Sequence, residues 1–179
     1  MECGVHRGNN FMLFNQLIAI FEPYNLNRKV IGFDTFEGFR SLTQDDDKRM
    51  TEAMFSDTSY EGIKTLLSLH DGNRAVPHVP RGELVKGDAC ETTPAYIKAN
   101  PHLMIAMLYL DFDIYEPTKV ALEHLVPLIP KGGIIAFDEA NVALWPGETK
   151  ALREYFELNK LKVQRMYFEP YASYAVIGE

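Results

Sequence analysis

The amino-acid sequence predicts an α/β fold: a mostly parallel seven-stranded sheet with an antiparallel last strand and helices on both faces. Three observations carry this. Apolar runs of strand length alternate with helical stretches along the 179 residues, the pattern of parallel strands joined by crossover helices. A composition of 46% hydrophobic and 24% charged residues is that of a globular chain, and the length suits one domain, residues 1–179. The last two expected strands are separated only by Glu169-Pro170-Tyr171-Ala172, short enough for a hairpin.

Strands are expected at Met1–Val5, Lys29–Asp34, Glu83–Gly87, Met104–Asp111, Gly132–Asp138, Leu161–Phe168 and Ser173–Ile177. Helices are expected at Asn10–Glu22, Tyr60–His70, Thr93–Asn100, Glu116–Leu128 and Glu148–Asn159. Proline and glycine mark their ends: Pro23 follows the first, Pro117 lies just inside the fourth, and Pro130 with Gly132-Gly133 stands beyond it. The first helix carries Phe11, Phe14, Ile18 and Phe21 on one face with Leu13, Leu17 and Ile20 beside them. It is therefore expected to lie buried against the sheet, a dimer contact being the alternative. The stretch Phe39–Ser59 has no period and reads as a loop over one end of the sheet. Its run Asp45-Asp46-Asp47 reads as a solvated face, because adjacent aspartates in a loop point in different directions.

Charge and cysteine content exclude several functions. Twenty-five acidic against eighteen basic residues give a net charge of -7, the wrong sign for a nucleic-acid binder. Cys3 and Cys90 are too few and too far apart for a disulfide scaffold or a zinc site, which fits a reducing cytoplasm. Phe11–Phe21, interrupted by Asn15 and Gln16, falls short of the roughly 20 residues of a membrane span. Met1-Glu2-Cys3-Gly4 has neither the basic leader nor the cleavage site of a signal peptide.

In open α/β sheets ligands bind beyond the carboxyl ends of the strands, so the residues there are the candidates. The first strand ends Glu2-x-Gly4-x-x-x-Gly8, where missing side chains let backbone approach a ligand. The second ends Gly32-Phe33-Asp34-Thr35-Phe36-Glu37-Gly38, with a carboxylate where such folds bind a ribose diol. The third ends Gly87-Asp88-Ala89, where Asp88 serves equally as a ligand or as a helix N-cap. Asp111 and Asp113 follow the fourth strand and Asp138 and Glu139 the fifth. Four carboxylates gathered there would repel and raise their own pKa values unless a cation neutralised them. An all-oxygen set suits Mg²⁺ or Mn²⁺; capping of the following helices by Asp113 and Glu139 is the structural alternative. Among the histidines, none pairs at a metal-ligand spacing, although His70 or His78 could reach a substrate pocket.

The stretches Glu2–Gly8, Gly32–Gly38, Leu110–Thr118 and Gly132–Glu139 together resemble the successive motifs of the macrocin O-methyltransferase family, whose class I members use S-adenosylmethionine (SAM) and Mg²⁺ to methylate sugar hydroxyls. Trp145-Pro146-Gly147-Glu148-Thr149-Lys150 resembles the branch acting on dTDP-6-deoxyhexoses. The resemblance implies a Rossmann-like methyltransferase with Glu2, Gly4, Gly8, Asp34, Phe36, Gly38, Asp88 and Ala89 around SAM. It implies Asp111, Asp138 and Glu139 as metal ligands, Asp113 as general base, a sugar or nucleotide-sugar acceptor and a homo-oligomer. Glu139 stands where many relatives have a second aspartate, and Asn9 where a third glycine is common. Relatives carry a helical segment before the glycine turn, so the resemblance also implies a catalytic core lacking that N-terminal cap. Asp111-x-Asp113 after an apolar strand leaves two alternatives, a metal-dependent phosphatase or a nucleotide-sugar glycosyltransferase, and a non-catalytic relative that binds SAM or a metal without turnover is a third.

Overall fold

Val30–Asp34 (β2) lies between Glu2–Cys3 (β1) and Gly82–Lys86 (β3), and β1 in turn between β2 and Met107–Leu110 (β4). Ile134–Phe137 (β5) and Ser173–Val176 (β6) complete a six-stranded sheet of order β3-β2-β1-β4-β5-β6 in a computed structural model that describes residues 1–179. All neighbours are parallel except β5 and β6, which pair antiparallel from Phe137–Ser173 to Ile134–Val176. The strand order reverses between β1 and β4, which opens a crevice at their carboxyl ends.

One expected strand is not formed. Residues 161–168 make a single antiparallel bridge, Gln164 with Tyr174, on the outer side of β6. That segment buries almost nothing: Met166 is half exposed, Phe168 more so, and Tyr167 fully. An edge strand with no apolar face against the core gains too little to hold a ladder.

Helices Ala89–Ala99 (α3), Tyr115–Leu125 (α4) and Pro146–Tyr155 (α5) cover one face, Asn9–Phe21 (α1) and Tyr60–Gly72 (α2) the other. Alternation along the strands divides their side chains between the two. Ile31, Phe33, Leu108, Leu110, Ile135 and Phe137 join the larger core under α3–α5, whereas Val30 packs with Phe11, Ile63 and Leu67 under α1 and α2. Gly32 lets α1 settle close, since a Cβ there would lie 2.9 Å from the Phe11 ring.

The first helix departs from its expected burial. Only Phe11 and Asn15 are buried, while Ile20 and Phe21 are 68% and 77% exposed. Two helices on this face, against three on the other, leave part of α1 uncovered. Leu17 and Phe21 border an apolar groove of about 890 Å³ at the amino end of the sheet, with Met104 across it. No helix is long and apolar enough to cross a membrane.

Candidate active site

Between β2 and α2 the chain runs without helix or strand and folds over the carboxyl ends of the strands. Its acidic run does diverge, but only in part toward solvent. Asp45 meets Lys150 at 2.6 Å and Asp47 binds Arg49 at 2.8 Å, whereas Asp46 is buried. Its Oδ1 accepts the Tyr115 amide at 2.7 Å and its Oδ2 the Thr43 amide at 2.8 Å. The reason is local: α4 follows Ile114, which has no capping side chain, so its first free amide takes a carboxylate from the loop.

Beneath this segment is a cavity of about 170 Å³. Gly4, at φ 99°, brings β1 so close to β4 that a Cβ would sit 1.8 Å from the Asp111 carbonyl oxygen. His6, Phe36 and Asp113 also hold left-handed backbone, at φ 46°, 55° and 64°. Such conformations cost about 1–3 kcal/mol each and persist only where the surroundings enforce them. For the glycine turn the enforcement comes from Asp34. Its Oδ2 accepts the amides of Val5 and His6 at 2.8 and 2.7 Å, and its Oδ1 that of Phe36 at 2.6 Å.

Gly4, Asp34, Gly38, Asp88 and Ala89 line the cavity together with Asp111, Asp113 and Glu139. Glu2, Gly8 and Phe36 stand behind it: Glu2 is buried, Gly8 starts α1 against Ile63, and Phe36 packs on Tyr60. Asp88 caps a helix, one of the two roles expected of it, and also faces the cavity. Its Oδ1 caps α3 through the Cys90 amide at 2.9 Å, and its Oδ2 accepts the Ser41 hydroxyl at 2.7 Å on the cavity wall.

One carboxylate oxygen from each of Asp111, Asp113 and Glu139 lies within 4.8 Å of the others. Asp138 turns aside and accepts the part-buried Tyr109 hydroxyl. Neither Asp113 nor Glu139 caps a helix, for α4 draws on Asp46 and α5 has no side-chain cap. Burial, reinforced by the neighbouring Asp138 and Asp113, pushes the Asp111 carboxyl up to about 10. Burial likewise raises Asp113 and Glu139 and takes Glu2 up to about 8. The Oε2 atoms of Glu2 and Glu139 are buried without a partner. This is a pocket of crowded acids and unused acceptors, in which ionising every carboxyl at once is costly.

His6, from within the Glu2–Gly8 turn, also lines the cavity, as do Phe39, Ser41 and Phe55, which carried no motif in the sequence. The signal available for three of them was only their place in the aperiodic stretch. Phe55 packs between Phe39 and Trp145, with ring centroids 5.5 and 5.8 Å away. Tyr115 belongs to the core, its hydroxyl bound to Glu154 at 2.5 Å, and His70 and His78 lie outside the cavity.

The family profile described as macrocin-O-methyltransferase (TylF) matches residues 1–171. Among solved structures, the calicheamicin methyltransferase CalS11 is 37% identical with a TM-score of 0.95, the match covering 100% of this chain and 72% of that one. An apo structure of CalS11, described as a TDP-rhamnose 3'-O-methyltransferase of calicheamicin biosynthesis, is 36% identical at a TM-score of 0.85, covering 100% and 71%. The O-methyltransferase NovP, 20% identical at a TM-score of 0.73 over 98% and 69% of the two chains, shares the fold. No curated protein matches the sequence.

Proposed function

The chain belongs to the macrocin-O-methyltransferase (TylF) family and is a SAM-dependent O-methyltransferase, and from that premise we propose that it methylates a hydroxyl of a nucleotide-activated deoxysugar with the help of a divalent cation. The observation that carries the reading is the meeting of Asp111, Asp113 and Glu139 in the cavity that Gly4, Asp34 and Asp88 also line. Their donors are all oxygen, and the unpartnered Glu139 Oε2 is left with acceptor capacity. That set fits Mg²⁺ or Mn²⁺ better than zinc.

Asp111 and Glu139 are assigned as ligands and Asp113 as general base; Asp138, expected as the third ligand, accepts the Tyr109 hydroxyl and would have to leave it to reach the ion. A bound cation of this kind supplies Lewis acidity and orientation to a coordinated hydroxyl. SAM supplies a methyl on a sulfonium, so the acceptor oxygen must stand in line with the carbon–sulfur bond. Asp34 fixes the glycine turn through three amides and so preorganises the floor on which that alignment depends. The raised pKa of Asp113 suits a group that takes up the hydroxyl proton at its carboxylate. Phe39 and Phe55, backed by Trp145, exclude water from one wall.

Calorimetric titration with SAM, followed by mass-spectrometric assay on TDP-rhamnose and related nucleotide deoxyhexoses, tests the proposal. A gain of one methyl group is expected, and failure to bind SAM would overturn the reading. Asp111→Ala should abolish cation-dependent turnover and leave SAM binding intact; activity that survives both this change and a chelator would sink the metal assignment. Asp113→Asn separates base from ligand: a base variant loses turnover but keeps Mn²⁺, a ligand variant loses both. The exposed Ile20 and Phe21 of α1 support self-association, and the free Cys3 and Cys90 support a reducing, cytoplasmic setting.

A further inference from the structure

In the stretch Trp145-Pro146-Gly147-Glu148-Thr149 only Trp145 has a part in the site above, behind Phe55, yet the whole stretch is packed against that site. Pro146 opens α5. Gly147 follows where a Cβ would lie 2.5 Å from the Tyr115 nitrogen and 2.4 Å from Asp46 Oδ1, so only glycine lets α5 start this close to α4. The close approach drives Glu148 under the ends of the strands, where it is fully buried. Its Oε1 accepts the Glu139 amide at 3.2 Å, and the next residue, Thr149, accepts the Asn141 amide at 2.8 Å through Oγ1. Two consecutive side chains of one helical turn thus hold the turn that carries Glu139. The turn needs holding, because Asn141 is left-handed at φ 69°. The second Glu148 oxygen, Oε2, has no partner, and Asp113 and Asp138 are its charged neighbours.

We infer that Glu148 is a positioning residue for methyl transfer: from α5 it grips the Glu139 amide and so presents the Glu139 carboxylate to Asp111 and Asp113. A buried polar side chain that fixes a ligand-bearing turn is a common support for a cation site. Glu148 was not among the residues assigned to the site from the sequence, and the inference rests on the metal reading proposed above only for what Glu139 then does. The grip needs an acceptor of this length and no more. Glutamine can supply it and leucine cannot.

The test compares Glu148→Gln and Glu148→Leu with the wild type. Mn²⁺ binding is followed by electron paramagnetic resonance without SAM, SAM affinity by calorimetry, and exchange of the Glu139 amide by mass spectrometry. Glu148→Leu should weaken Mn²⁺ binding at least tenfold and speed exchange at Glu139, with SAM affinity within twofold of wild type. Glu148→Gln should remain within threefold on all three measures. If Glu148→Leu fails to fold, Glu148→Asp, one methylene shorter, is read in its place. Unchanged Mn²⁺ affinity in Glu148→Leu, an equal loss of SAM affinity, or a glutamine variant as damaged as the leucine one would each overturn the inference. Wild-type protein that binds no Mn²⁺ overturns the metal reading instead. Glu148 is then judged on kcat with TDP-rhamnose, which must fall at least tenfold in the leucine variant and return in the glutamine variant.

Discussion

At the carboxyl ends of the strands, Asp111, Asp113 and Glu139 crowd within 4.8 Å, backbone is held left-handed at His6, Phe36 and Asp113, and buried carboxylate oxygens lack partners. At the amino ends of the parallel strands, Leu17, Phe21 and Met104 border an open apolar groove, and the positive-φ residues are glycines, Gly178 beside the Lys131 side chain and Gly132 with nothing within 4 Å of its missing side chain. One end is overdetermined and electrostatically unfavourable; the other is loosely packed and chemically plain. Strain and unpaired charge concentrate where a ligand can relieve them, which is how a fold stores stability loss at a working site.

The sharpest way to break this contrast is to add one methyl group at each end. Gly4→Ala would place a Cβ 1.8 Å from a β4 carbonyl and should prevent assembly of the central strands, read as loss of soluble protein or of a cooperative melt. Gly132→Ala should cost only the left-handed backbone penalty of about 1–2 kcal/mol. Equal effects would mean that the ends are equally tolerant.

A second comparison separates activity from stability. Asp111→Asn removes a buried carboxyl that must hold a proton in the folded state, so the cation-free variant should lose less stability than the wild type as pH rises, while methyl transfer falls by about a hundredfold or more. The pH dependence has a definite sign. Asp111 and Glu2 are pushed up to about 10 and about 8, whereas unfolded carboxyls ionise near about pH 4. Between those limits the native state holds protons that the unfolded chain has released, so stability falls as pH rises through the window. The cation-free protein should therefore melt higher at pH 5 than at pH 8. Mn²⁺ should raise the melting temperature more at pH 8 than at pH 5, because fewer protons then compete with it for these carboxylates; a flat profile would contradict the burial of these carboxylates.

Smaller effects are expected further from the cluster. Asp46→Ala removes the acceptor at the start of α4 and should cost about 1–2 kcal/mol in denaturant titrations. Phe21→Ser, on the apolar rim, should change monomer stability by less than about 0.5 kcal/mol and leave kcat intact, while sedimentation reports whether self-association depends on that face.

Much of the polar end could be read in the sequence, because strand ends announce themselves: an apolar run stops and a glycine or carboxylate follows, as at Gly4, Asp34, Asp88 and Asp111. What stayed hidden depends on partners distant along the chain. Asp46 looked solvated because nothing local reveals that a helix 69 residues away lacks a cap. Glu148 stood in a recognised motif at the start of an expected helix, but nothing in the sequence shows that the close approach at Gly147 buries it. Residues 161–168 had the composition of a strand, but pairing needs a neighbour and a covered face, and no single stretch encodes either. The exposed flank of α1 was hidden for the same reason, since helix periodicity says which side is apolar but not how much core is available to receive it.

The Asp46 anchor has a consequence for how such enzymes can diversify. Gly38 leaves β2 with a bend that fits beneath the Glu52 carbonyl, and Asp57 fastens the far end of the segment to His6 and Arg7. With Asp46 pinned to α4 between them, the aperiodic stretch is divided into two spans, each fixed at both ends. Residues within a span can be exchanged or lengthened without disturbing the sheet, so acceptor preference can be retuned like a cassette while the transfer chemistry below it stays constant.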